Sequence, residues 1–74
     1  MSPNELQQIK QQRPFVPIRM RLVDGSTFEV RRPHLMMVGI RATAIGIATR
    51  SDPGLWDKLI QVDNLSIIHV EPLA

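Results

Sequence analysis

Apolar residues recur at helical spacing only near the start of this chain, and at a spacing of two from Phe15 onward. Over residues 1–13, Leu6, Ile9 and the stem of Lys10 make one narrow face, and Gln7, Gln8, Gln11 and Gln12 fill the rest. Ser2 is a good N-cap, Pro3 falls at the first helical position and Glu5 completes an S-x-x-E capping box. Met1 and Leu6 stand where a hydrophobic staple stands. Pro14 predicts an end at about Arg13. So short a helix is not stable alone and must dock on a sheet.

The next segment alternates. Ile18, Met20 and Leu22 face one way and Arg19 and Arg21 the other; Phe28 and Val30 then alternate with Thr27, Glu29 and Arg31. Asp24-Gly25 marks the turn between them. Parity selects its length. A two-residue loop sets Met20 against Glu29 and mixes the faces. A three-residue loop, Val23-Asp24-Gly25, pairs Met20 with Phe28, Ile18 with Val30 and Arg19 with Glu29. Gly25 then takes the left-handed position of a G1 bulge. A slip of one residue would turn every apolar side chain outward.

Pro33 interrupts the second strand, and Leu35 to Val38 resume it as extended chain, with Met36 and Met37 on opposite faces. Gly39 gives a second bend. Residues 41–48 predict a third strand with Thr43, Ile45 and Ile47 on one face and the small residues Ala44, Gly46 and Ala48 on the other, which implies close approach by another element. Residues 49–57 read as a loop around Asp52-Pro53-Gly54. A fourth strand, Lys58 to Val62, leads through a tight 3₁₀-like turn, with Leu65 as its plug, into a fifth strand, Ile67 to Glu71. A short helix followed by five short strands predicts a mainly β single domain over residues 1–74: a bent, five-stranded antiparallel barrel of the SH3-like or Sm-like kind.

Size changes this picture. Seventy-four residues without cysteine build a small core with no disulfide, and domains of this size commonly gain stability by association. A homo-oligomer is therefore expected. The net charge is only +2, but it is uneven: residues 13–41 carry six arginines against two acids, and residues 42–74 carry two bases against four acids. Opposed halves suit contacts between subunits. No run has the length of a membrane span or the form of a signal peptide, which predicts a cytoplasmic protein without membrane contact.

The run Arg13-Pro14-Phe15-Val16-Pro17-Ile18-Arg19-Met20-Arg21-Leu22-Val23-Asp24-Gly25, with Val30-Arg31-Arg32-Pro33-His34 after it, resembles a family of small bacterial proteins of unknown function. That family's pattern is P-F-x-P-[FI]-R-[IM]-x-L-x-D-G followed by F-x-V-x-[HR]-P. The resemblance covers about half the chain and carries no catalytic residues. The helix, the V-P-[VI]-x-[IM]-x-L-x-[ND]-G hairpin and the proline-ended last strand are also similar to the bacterial Sm-like RNA chaperones of the Hfq type. That likeness implies a five-stranded barrel, a ring of copies and RNA as partner. Its binding positions differ, however. The strand-bending glycine is Val30, the Tyr-Lys-His element falls at Gln61, Val62 and Asp63, and the Phe-Asp pair of the second strand is missing.

Candidate chemistry is sparse. His69 and Glu71 share a strand face, but two ligands do not make a metal site, and no cofactor motif is present. Ser2, Ser26, Ser51 and Ser66 fall at caps, turns and loops, outside any nucleophile motif, so no enzyme is expected. Two binding candidates stand out. Arg19, Arg21 and Arg31, with Arg32 at the bend, form a basic hairpin face suited to a nucleic-acid backbone. Glu29 lies among them, so cross-strand ion pairs are the competing reading. Trp56 beside the loop is either an anchor for a protein partner or a cover for the open end of the barrel. The function expected is a non-catalytic, self-assembling interaction module, with RNA binding by the Arg-bearing hairpin as the alternative.

Overall fold

The Ser2 hydroxyl accepts a hydrogen bond from the Glu5 amide (3.2 Å), and the Glu5 carboxylate accepts from the Ser2 amide (3.3 Å), so the capping box starts α1 (Pro3–Lys10) as its residues require. α1 is three residues shorter than the sequence pattern predicts. Its end tightens into a 3₁₀-type bond from the Gln12 amide to the Ile9 carbonyl (3.4 Å), and Arg13, preceding Pro14, is disfavoured from continuing the helix. Leu6 is the buried residue of α1, and Met1 and Ile9 lean on the same core.

The computed structural model describes residues 1–47 and 55–73. After α1 the chain forms β1 (Ile18–Leu22), β2 (Thr27–Val30), a 3₁₀ turn (Pro33–Leu35), β3 (Met36–Val38), β4 (Ala42–Ile47), β5 (Lys58–Asp63), a second 3₁₀ turn (Asn64–Ser66) and β6 (Ile67–Pro72). The first hairpin has the register expected from parity: Ile18 opposite Val30, Arg19 opposite Glu29, Met20 opposite Phe28. Gly25 lies at φ 90°, a conformation that L-residues rarely adopt. Its amide donates to the Leu22 carbonyl (2.9 Å), and the Leu22 amide donates to Ser26 (2.8 Å). The hydroxyl of Ser26 and, after it, the Ser26 amide hold the Asp24 carboxyl below the usual carboxylate range.

Two three-stranded antiparallel sheets result, in the orders β2-β1-β6 and β3-β4-β5. The prediction of five strands is corrected to six. The Pro33 turn divides the long second strand into β2, which stays with β1, and β3, which pairs with β4. Proline has no amide to continue the ladder, so the chain changes sheets there. The two sheets are not closed into a barrel by any ladder among the described residues. Their inner faces and α1 share one core of Leu6, Ile18, Met20, Leu22, Val30, Leu35, Met36, Ile45, Val62 and Ile67. Met36 is buried and Met37 exposed, as their alternation predicts. The loop around Asp52-Pro53-Gly54 and the small residue Ala48 lie outside the described residues.

The second 3₁₀ turn differs in its plug. Leu65 is 85% exposed, and Asn64 is buried in the place assigned to it. Thr43 Oγ1 donates to Asn64 Oδ1 (2.6 Å), and Asn64 Nδ2 donates to the carbonyls of Gly39 (2.8 Å) and Ile40 (3.3 Å). The Asn64 amide donates to the Arg41 carbonyl (2.8 Å), and its own carbonyl accepts from the Met1 nitrogen (2.6 Å). Thr43 and the β3–β4 loop expose polar groups that only a polar side chain can satisfy when buried, so the amide goes in and the leucine goes out.

Candidate interaction surfaces

The outer face of the β2-β1-β6 sheet is a chain of alternating charges. Arg31 Nη2 bonds Glu29 Oε1 (2.9 Å), and Arg19 Nη2 bonds Glu29 Oε2 (3.3 Å). Arg19 Nη1 lies 3.8 Å from Glu71 Oε1, and His69 Nε2 lies 3.7 Å from Glu71 Oε2. Register builds this row, because Arg19 stands opposite Glu29 on one side and Glu71 on the other. The side-chain bond from Arg19, followed by the nearby charge of Arg31, holds the Glu29 carboxyl below its usual range. All these groups are solvated, so the row adds little stability. Its effect is to occupy the arginines. Of the four in the candidate basic patch, Arg19 and Arg31 are engaged with carboxylates, and Arg21 and Arg32 have no ion pair among the described residues.

His69 and Glu71 do meet on one face, as their spacing predicts. Among the described residues, no three His, Cys, Asp or Glu side chains gather in a form that would hold a metal ion.

On the β3-β4-β5 sheet the outer face is different in kind. Met37, Ala44 and Gln61 form one cross-strand row, and Gly46 faces Leu59 in the next. Trp56 lies over Gly46: a Cβ placed on that glycine would sit 2.9 Å from Trp56 Cβ and 3.3 Å from Leu35 Cδ2. The small face of β4 is therefore approached closely at Gly46, by Trp56 and by Leu35. About half of Trp56 remains exposed (51%), so it both covers the sheet at Gly46 and leaves surface open to solvent. Gly46→Ala is expected to cost about 1–3 kcal/mol, because the added methyl pushes against Trp56 beside its own backbone. A urea titration followed by tryptophan fluorescence would show a lower midpoint and a shifted native emission. An unchanged midpoint would contradict the packing.

Two further features were not visible in the sequence. One is the Asn64 latch, because an Asp-Asn-Leu-Ser run reads as a turn whether its asparagine points in or out. The other is the pair Ile40 and Leu65, which line one groove and are left exposed. The nearest sequence signal is an isolated large aliphatic in each of two turns.

These features define a small, mainly β protein of two three-stranded antiparallel sheets and one docked N-terminal helix, with a self-paired charged face and a partly apolar one. No helix among the described residues is long and apolar enough to cross a membrane. No protein-family model, curated protein or solved structure matches the chain.

Proposed function

We propose that this chain is a non-catalytic interaction module that assembles with copies of itself through its strand edges. The observation that carries this reading is an asymmetry among the four edges. β2 and β3 are short, at four and three residues, and Arg31, Arg32 and Pro33 follow the first of them. Short length, charge and proline are devices that protect an edge. β5 and β6 run six residues each and carry Leu59 and Ile68 with 44% and 56% of their surfaces exposed. Long edges with exposed apolar side chains are templates for another strand. The small core and the absence of cysteine support association on grounds of stability. The strand order, with corners at the two 3₁₀ turns, supports the Sm-like barrel reading, whose resemblance implies a ring of copies.

Light scattering on a sizing column tests this. The wild-type mass is expected to exceed one chain, and Leu59→Lys with Ile68→Lys to lower it, since both positions are exposed and the change spares the core. A wild-type mass of one chain, or a doubly substituted protein of unchanged mass, would overturn the reading.

RNA binding has narrower support. Arg21 and Arg32 are the members of the patch without a carboxylate, and Glu29 and Glu71 lie among them. Phosphate contacts predict affinity that falls steeply with salt. Absence of binding to single-stranded RNA at low salt would dismiss this alternative.

A further inference from the structure

A groove of about 520 Å³ lies between the start of α1, the β3–β4 loop and the second 3₁₀ turn, lined by Met1, Pro3, Ile40, Arg41, Asp63 and Leu65. Ile40 and Leu65 stand at its rim, 86% and 85% exposed. Their exposure is not that of side chains on a slack loop. Asn64 Nδ2 holds the Ile40 carbonyl, the Asn64 amide holds the Arg41 carbonyl, and the Asp63 carboxylate accepts from the Leu65 amide (2.9 Å). Two large aliphatic side chains are thus displayed from a backbone already fixed by hydrogen bonds. Such a pair loses little freedom on binding, as befits an interface anchor.

The charges beside the groove identify the occupant. Arg41 and Asp63 are of opposite sign, and neither has an ion pair among the described residues. The Met1 ammonium at the same groove is bonded to the carbonyls of Asn64 and Ile67, which leaves Arg41 and Asp63 as its side-chain charges; one of each sign, a protruding apolar pair and an adjoining groove make the surface complementary to itself. A two-fold rotation that sets Arg41 of one copy near Asp63 of the other makes that pair twice. The same rotation offers the aliphatic pair of each copy to the groove of the other. Isologous contacts have this reciprocity.

We infer that this face is a two-fold interface between two copies of the chain. It extends the self-assembly reading to a second surface, and the two surfaces fail separately. In an edge-linked assembly the contact repeats, and repetition strengthens it.

The wild type and four variants, all tagged at the C-terminus, are compared by light scattering and sedimentation. Ile40→Ser with Leu65→Ser is expected to halve the wild-type mass with no loss of fold, because both side chains are already in solvent. Leu59→Lys with Ile68→Lys is expected to leave a two-chain species. Arg41→Asp and Asp63→Arg are each expected to lose the two-fold contact, and mixing these two variants to restore it, since every pair across the axis again has opposite signs. Should the edge reading be wrong, the edge variant keeps the wild-type mass and Ile40→Ser with Leu65→Ser still takes two chains to one. The proposal is overturned if the wild type is a single chain or if that serine variant keeps the wild-type mass. It is also overturned if the charge variants, shown to be folded by circular dichroism, fail to associate on mixing. Asp63 caps a turn, so if Asp63→Arg does not fold, the serine variant decides.

Discussion

Asn64→Ala is expected to remove about 3 kcal/mol of stability, from the polar groups it leaves buried without partners. The Thr43 hydroxyl loses its acceptor, and the carbonyls of Gly39 and Ile40 lose the amide that serves them both. The backbone bonds from Asn64 to Arg41 and from Met1 to Asn64 survive only while the turn keeps its shape. A domain of this size rarely has more than about 3–5 kcal/mol from its own core. The variant should therefore be largely unfolded at low protein concentration, and urea denaturation over a concentration series would show it. Asn64→Asp should be nearly as damaging, because it keeps the acceptor for Thr43 but loses the donor. Leu65→Ala, one residue on, should be close to neutral for folding, because that side chain is in solvent. If Leu65→Ala proved the more destabilising, the assignment of the buried residue would be wrong.

Leu6→Ala should cost a similar amount, about 2–5 kcal/mol, by opening a cavity under α1. Leu6 is fully buried and is the residue that ties the helix into the core of both sheets. At eight residues α1 lies well below the length at which isolated helices persist in water. The expected result is local as well as global. Amide exchange over Pro3–Lys10 should rise by more than exchange over β1 and β4. Gln8→Ala on the exposed side should leave both unchanged. Equal protection of the helix in wild type and Leu6→Ala would mean that Met1 and Ile9 hold α1 without it.

The hairpin and the capping box were legible because each is governed by neighbours in sequence. Ser2 and Glu5 are three residues apart, and only one loop length puts Met20, Phe28, Ile18 and Val30 on the same side. The strands β4, β5 and β6 stand where the sequence predicts them; β4 starts, and β5 and β6 end, one residue later than expected. The candidate sites were less legible. Arg19 was readable as a cation on an outer face, but its second partner, Glu71, comes from a strand 52 positions later through the pairing of β1 with β6. Trp56 was readable as a loop aromatic, and its resting place on Gly46 was not, although the smallness of that face already called for an occupant.

The sequence by itself determined the helix start, the hairpin register, the mainly β class and the lack of a disulfide. Each follows from local sterics, parity or composition. Only the tertiary structure decided that β2 and β3 belong to different sheets, that Arg19 bridges to Glu71 of the last strand, and that Asn64 goes inward while Leu65 faces solvent. Those outcomes depend on which polar groups must be satisfied once distant strands meet, and that demand does not exist until the chain has folded around it.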